Sequence, residues 1–471
     1  MNNSDDGIFH KSFKDSNLKH ILMITNHGIH QWDIIPGLPD TGGQNVFVNQ
    51  FADTLAKNNY KVTIVNRGGY AHPVTGDIHR NLVYKNEKQR ILYIEDSIPR
   101  QIRKEDMASQ IDELADNLYT FITDENISID LLVSHYWDGA KIANEFNKKL
   151  DKPLTHVWVP HSTGAIKKRN VNPDKWKNLR VDERINTEKE IAKDVDSIAY
   201  TSFAVRESLD KDYNYTGGIF LPPSIVVDRF YPENVDKNNE IWTFLSTMSG
   251  LDANRIKECR IVTEISRTDT TKRKDVLIKA FASVHKDNPD TFLIIAIDDN
   301  EKELAPYLKN LIKELKIENY VAAIGNEWER MPAIYRITDV YCTPSIMEGF
   351  GMSAQEAAAS RAPVVASALI PFATEFLVGD SPKTIEYLAD DGQNNRTITQ
   401  GAGTIIVTPD DVAGFAKAIG LLINDDQLRV NMAASAYDKT IPYFTWDAMI
   451  KLFVYSVGCY DEDSDNSSMA G

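Results

Sequence analysis

His20-Ile21-Leu22-Met23-Ile24-Thr25-Asn26 is a short apolar run between polar neighbours, which reads as a buried strand. Asn45 to Lys57 (NVFVNQFADTLAK) follows with apolar residues at helical spacing, and Lys61 to Asn66 (KVTIVN) reads as a second strand. Working outward, strands at Ile91–Ile94, Asp130–Ser134, His156–Pro160 and Ser197–Thr201 alternate with helices around Met107–Ile122, from Gly139 and over Arg184–Lys193. Strands separated by helices imply a parallel, doubly wound sheet.

Gly217-Gly218-Ile219-Phe220-Leu221-Pro222-Pro223 is a turn-rich exit, and Asn234–Asn239 is polar. The alternation then restarts. Strands at Arg260–Ile265, Thr291–Ile297, Val321–Ile324, Val340–Thr343, Val364–Ser367 and Gly403–Val407 alternate with helices at Val276–Val284, Glu301–Leu315, from Ser353 and from Val412. The expected architecture is α/β: two doubly wound, Rossmann-like domains facing a cleft, with ligands beyond the carboxyl ends of the strands. The expected boundaries are 1–225 and 226–445, with 446–471 a last helix followed by an acidic, disordered tail, Asp461–Gly471.

A length of 471 residues suits two such domains. With 52 Lys and Arg against 68 Asp and Glu, the formal charge of -16 opposes nucleic acid and anionic lipid as partners. No apolar run is long enough to span a bilayer, and Met1–Lys19 has no apolar signal core, so the expected place is the cytoplasm. Cys259, Cys342 and Cys459 are far apart and form no metal-binding cluster, which leaves them as idle thiols.

Three stretches at strand-to-helix junctions have the chemistry of anion or sugar sites. Leu38-Pro39-Asp40-Thr41-Gly42-Gly43-Gln44 offers paired glycines before a helix start, where backbone can approach a ligand. A plain turn explains those glycines equally well. Ser266–Lys274 (SRTDTTKRK) places Arg267 and Lys272 at a strand's carboxyl end, where guanidinium and ammonium suit phosphate. Arg273 and Lys274 read as solvated surface. In Glu348-Gly349-Phe350-Gly351-Met352-Ser353-Ala354-Gln355-Glu356 the glycines free backbone amides, and Glu348 can accept from sugar hydroxyls. Ser353 and Glu356 also match a capping box, which would occupy that second carboxylate structurally.

Taken together with further motifs, the chain resembles the retaining, two-domain (GT-B) glycosyltransferases of the sucrose-phosphate synthase and sucrose synthase branch. Pro39–Gln44 is similar to that branch's PDTGGQ, His135-Tyr136-Trp137-Asp138 to HYxD, and His161-Ser162-Thr163-Gly164 to HSLG. Arg184–Glu188 is similar to RIxxE, Arg267 and Lys272 to the pair in SRxDxxK, Glu348 with Glu356 to E-x7-E, and Phe444-Thr445-Trp446 to FSW. The resemblance implies hexose transfer from a nucleotide diphosphate sugar to an acceptor hydroxyl, with retention and without a metal or other required cofactor. It implies that His161, Arg267, Lys272 and Glu348 are catalytic. Arg267, Lys272, Glu348, Gly349, Phe350, Gly351, Met352 and Glu356 would bind the donor.

The acceptor side would be the first domain, through Gly42, Gly43, Gln44 and the basic clusters Arg103, Lys104 and Lys167, Lys168, with Arg169 beside them. A phosphorylated small molecule is the expected acceptor, although solvated surface accounts for each cluster as well. Two departures steer away from sucrose phosphate. Ala368-Leu369-Ile370-Pro371-Phe372 stands where that branch has Gly-Gly-Pro, and Asp182-Glu183 stands where it has a basic pair. The expectation is therefore mannose from GDP-mannose to glucosyl-3-phosphoglycerate, in compatible-solute synthesis. Synthesis of sucrose phosphate or mannosylfructose phosphate remains the alternative. A nucleotide-sugar epimerase is the competing class, and the acceptor-side motifs oppose it.

Overall fold

The computed structural model describes residues 3–35, 41–325, 327–389 and 394–460. The chain divides into two compact units. One comprises the chain up to Pro222 together with the chain from Trp446 on, and the other runs from Pro223 to Thr445.

The first unit holds strands β1 (His20–Thr25), β2 (Lys61–Arg67), β3 (Asn81–Asn86), β4 (Gln89–Ile94), β5 (Leu131–His135), β6 (His156–Val159), β7 (Ser197–Tyr200) and β8 (Ile219–Phe220). Their order across the sheet is β3-β4-β2-β1-β5-β6-β7-β8. All neighbours are parallel except β3 and β4. Every residue of β1 is buried, as helices on both faces of a parallel sheet require. Leu22, Ile24, Leu114, Leu118, Ile142 and Phe146 belong to its main core cluster. The helix Trp446–Ser456 packs on the helix Gly43–Lys57, with Phe51 and Phe453 ring centroids 5.1 Å apart and Trp446 Nε1 donating to Gln50 Oε1 at 2.9 Å.

The second unit holds β9 (Arg260–Glu264), β10 (Thr291–Ala296), β11 (Val321–Ile324), β12 (Val340–Thr343), β13 (Val364–Ser367), β14 (Lys383–Leu388), β15 (Asn395–Gln400) and β16 (Thr404–Val407). Their order is β11-β10-β9-β12-β13-β16-β15-β14, with β14 and β15 antiparallel additions at one edge. Val262, Leu277, Phe281, Leu293 and Ile295 lie in its core.

In both sheets the order reverses about one strand. The chain leaves β1 towards β2 on one side and later returns to add β5 on the other; β9, with β10 and β12, repeats the arrangement. The loops after the two central strands separate at such a reversal and leave a crevice at their carboxyl ends.

Sequence reading missed some elements. The polar N-terminal stretch forms a helix, Asn3–Asp15, anchored by Phe13, which is buried with the Arg90 guanidinium 4.1 Å from its ring centroid. The strands β14 and β15 are largely exposed and β3 is mostly half-buried, so none of them forms a continuous apolar run. The expected disordered tail, Asp461–Gly471, lies outside the described residues. No helix among the described residues is long and apolar enough to cross a membrane.

One close approach sets the crevice of the first unit. Gly139, in the helix Tyr136–Asn147 after β5, lies against β1, and a Cβ there would stand 2.7 Å from the Ile24 carbonyl oxygen. Backbone cannot yield as a flexible side chain would. Gly139→Ala should therefore cost about 1–3 kcal/mol of stability, read by urea unfolding. An unchanged midpoint would show that the approach is not tight.

Candidate functional site

In the second unit the loops after β9 and β12 meet. The Thr271 carbonyl accepts from Ile346 N at 2.8 Å and from Ser345 Oγ at 3.2 Å. Asp269 caps the turn Thr270–Lys272, its Oδ1 accepting from Thr271 N at 2.7 Å. That turn aims Lys272 across the junction, where its Nζ contacts Glu348 Oε1 at 2.5 Å. Lys272 is buried, whereas the Arg267 side chain is 57% exposed and lies 3.7 Å from Asp269. The crevice thus brings Lys272 onto Glu348, with Arg267 held at the loop by Asp269.

Lys274 is not surface, contrary to the expectation from the charge run. It is fully buried, donates to Glu264 at the end of β9, and also donates to Ser266 O at 3.1 Å and Ser266 Oγ at 3.0 Å. Burial pulls its ammonium below the ordinary lysine value, against the attraction of Glu264. The pair ties the strand end, the loop and the helix Lys274–Asp287 into one piece beneath Arg267 and Lys272. Arg273 is partly buried and pairs with Asp410 at 2.5 Å.

The capping box is also corrected. The helix Met352–Ala359 is capped by Gly351, whose φ of 110° places it in the left-handed region, and not by Ser353. A Cβ on Gly351 would meet Ile370 Cγ2 at 2.6 Å, so both space and conformation demand glycine. Phe350 is buried against Phe372 and Phe444, with centroids 5.4 Å and 6.1 Å away, and its carbonyl accepts from Phe372 N at 2.8 Å. Met352 begins the helix and is partly buried.

Glu356 is free of capping duty and accepts from Tyr335 OH at 3.0 Å. Burial raises its carboxyl to about 7 against the opposing pulls of Tyr335 and Arg229. Neither Tyr335 nor Arg229 carried any motif that would have singled it out.

In the first unit β5 ends on His135, and the next residue, Tyr136, has a φ of 64°. Asp138, fully buried, contacts His27 Nδ1 at 2.8 Å across the reversal between β1 and β5. His161, after β6, has a φ of 56° and lies 3.0 Å from His135, Nε2 to Nδ1. Arg184 fixes that loop: it donates to Ser162 O at 2.6 Å, to Glu188 Oε1 at 2.6 Å and to the Tyr136 hydroxyl. Glu188 in turn accepts from Gly164 N at 2.8 Å and Tyr213 OH at 2.5 Å.

Gly42 precedes the helix Gly43–Lys57 and its N–H donates to Asn45 Oδ1 at 3.0 Å; Gln44 donates to Thr25 Oγ1 at 3.0 Å. Leu38, Pro39 and Asp40 of that motif lie outside the described residues.

Of the basic clusters, Lys104 and Lys167 line a pocket with Arg180 and Arg184, and Glu105 and Glu183 stand on its wall. Lys168 instead pairs with Asp182 at 2.6 Å and covers Trp176; Arg103 is exposed and pairs with Asp106 at 3.0 Å. Neither lines the pocket. Arg180 was missed because its neighbours Asp182 and Glu183 made the segment read as acidic. Among the described residues, no group of three or more His, Cys, Asp and Glu side chains is placed to hold a metal ion.

Residues 252–439 match the family model described as glycosyl transferases group 1. The chain is 28% identical over 360 residues to the mannosylfructose-phosphate synthase of Agrobacterium fabrum, covering 73% of this chain and 75% of that protein. It is 25% identical over 419 residues to the D-inositol 3-phosphate glycosyltransferase of Corynebacterium aurimucosum, covering 88% and 90%. Among solved structures, the sucrose-phosphate synthase of Thermosynechococcus elongatus superimposes with a TM-score of 0.73 at 19% identity, over 94% of this chain and 100% of that one.

The raised Glu356 carboxyl has a consequence for stability. Folded, it holds a proton up to about pH 7, whereas unfolded it releases it near the ordinary value of 4.5. Between those values the folded state binds more protons, so this group's contribution falls as pH rises. Glu356→Gln should gain on the parent chain across that window, by up to roughly 3 kcal/mol, and the gain should level off above it. Denaturation at a series of pH values reads this, and parallel curves would refute it.

Proposed function

We propose that the chain, whose residues 252–439 match the group 1 glycosyltransferases and whose fold is that of GT-B enzymes, moves a hexose, with retention, from a nucleotide diphosphate sugar to a phosphorylated small acceptor. The observation that carries the acceptor class is the pocket lined by Lys104, Lys167, Arg180 and Arg184 in a chain of formal charge -16. Arg184 is committed to Glu188, Ser162 and Tyr136. A phosphate, which Arg grips as a fork and Lys as a point charge, would compete with Glu105 for Lys167 and with Asp106 and Glu183 for Arg180. Both relatives carry a phosphorylated compound in their names.

In this reading the second unit binds the donor. Arg267 and Lys272 bear on the diphosphate, which competes with Glu348 for the Lys272 ammonium. Glu348 and the amides of Gly349–Met352 take sugar hydroxyls, and Glu356 takes the ribose. The bond from the anomeric carbon to the diphosphate oxygen breaks with its electron pair going to that oxygen. The two cations stabilise the charge that builds there. The acceptor hydroxyl attacks from the same face, and its proton passes to the departing oxygen. The first unit binds the acceptor, through the cationic pocket and the Gly42–Gln44 turn, and His161 contacts the transferred sugar.

Mannose from GDP-mannose is the favoured donor and glucosyl-3-phosphoglycerate the favoured acceptor, on the two departures at Asp182-Glu183 and Ala368–Phe372. The name of the Agrobacterium relative supports mannose and makes fructose 6-phosphate the second acceptor to consider.

Nucleotide release from GDP-mannose and UDP-glucose, each with glucosyl-3-phosphoglycerate, fructose 6-phosphate or inositol 3-phosphate, tests the reading. GDP release dependent on a phosphorylated acceptor is expected, and release indifferent to every acceptor would overturn it. Arg267→Ala and Lys272→Ala should each lower the rate on the order of 10²–10³-fold. Arg180→Ala should raise the acceptor KM roughly tenfold to a hundredfold, the worth of one charged contact, and leave the donor KM unchanged.

A further inference from the structure

His135 and His161 face each other nitrogen to nitrogen, Nδ1 to Nε2, at 3.0 Å. One proton must lie between those atoms, because two would repel and none would leave two lone pairs in contact. The question is which ring owns it. We propose that His135 is a positioning residue that donates from Nδ1 and so fixes His161 in the tautomer with its own proton on Nδ1.

His135 is fully buried at the end of β5, and its Nε2 has no partner among the described residues. If His161 owned the shared proton, His135 would carry its hydrogen on Nε2, a buried N–H with no acceptor. Orphaned buried N–H groups are the rarest polar arrangement in folded chains. With the proton on His135 Nδ1, the orphan is a bare ring nitrogen instead.

Among the described residues, no neighbour accepts at that atom. Besides His161 itself, at 5.2 Å, the rings against His135 are Phe47 and Phe51, with centroids 6.1 Å and 6.5 Å away. His30 is already engaged at both nitrogens, with Asn49 Oδ1 at 2.8 Å and Asn45 Nδ2 at 3.2 Å. Burial keeps the rings neutral: His135 is held well below the usual histidine value, and His161 is lowered to about 3. Each ring therefore has a single proton to place.

The His161 ring is also oriented by its surroundings. Phe47 meets it edge to face at 4.9 Å, and Arg184 pins the next residue through Ser162 O at 2.6 Å. His161 Nδ1 has no partner among the described residues. In the proposed tautomer it is an N–H donor, matched to an oxygen lone pair of a sugar. That last step rests on the reading that His161 contacts the transferred sugar; the tautomer itself does not.

Long-range proton–nitrogen correlation spectra of the whole chain, labelled with ¹⁵N at histidine, read the protonation of each ring nitrogen at neutral pH. The spectra should show His161 protonated at Nδ1 and bare at Nε2. His135→Leu should shift His161 towards the Nε2–H form and lower kcat/KM on the order of tenfold, the worth of one misdirected hydrogen bond. A parent spectrum with the His161 proton on Nε2 overturns the proposal, whether or not the variant folds. So does a folded His135→Leu chain whose His161 keeps the Nδ1–H form. A chain that transfers no sugar from any donor removes the glycosyltransfer reading, and the parent spectrum still decides the tautomer.

Discussion

Adjacent parallel strands whose chains depart to opposite sides cannot close the gap beyond their carboxyl ends. That constraint leaves a crevice beyond β9 and β12 in the second unit and beyond β1 and β5 in the first. The residues with a proposed role in the second unit's crevice hang on the two loops that follow β9 and β12 and on the helix Met352–Ala359. The Lys272–Glu348 contact at 2.5 Å closes them onto one another. The ion pair is intelligible only from the topology, since the two residues are 76 positions apart in sequence.

Holding charged loops at the end of an apolar sheet requires polar support underneath. The Glu264–Lys274 pair in one unit and the Arg184–Glu188 pair in the other are both buried. A buried ion pair is a weak source of stability compared with apolar side chains of similar size, because desolvation offsets the attraction. Its advantage is geometric. Lys274 makes contacts to Glu264 and to both oxygens of Ser266, and Arg184 makes contacts to Ser162, Glu188 and Tyr136. Each set admits one arrangement of the loop, which an apolar plug of the same volume would not specify.

The central strands were legible in the sequence because burial on both faces turns them into continuous apolar runs such as HILMIT. The loops of Arg267, Lys272 and Glu348 were legible because they sit where such runs end. Exposed strands such as β14 lack that signal: an edge strand open to solvent carries Lys383, Thr384 and Glu386 like any loop. Local reading failed where long-range packing reassigns a residue. Lys274 looked like the fourth member of a solvated run and is buried by a strand ten residues earlier. Ser353 and Glu356 had the spacing of a cap, yet the left-handed Gly351 starts the helix and Tyr335 claims the carboxylate. Arg180 and Lys104 share a pocket that no spacing rule could have joined.

The two units manage charge differently, and the difference bears on what each can do. The second unit's crevice holds permanent cations, Arg267 and Lys272, each beside a carboxylate. The first unit surrounds the ends of β1, β5 and β6 with His30, His135 and His161, all held neutral by burial, two of them at about 4 and about 3. Rings in that state cannot supply a charge to a departing phosphate at neutral pH. His30 is engaged at both nitrogens and His135 is buried against His161, which leaves His161 to offer a ring nitrogen to a neutral hydroxyl group. Under the proposed function, the anionic part of an acceptor would fall to Lys104, Lys167 and Arg180, and hydroxyls of the transferred sugar to His161.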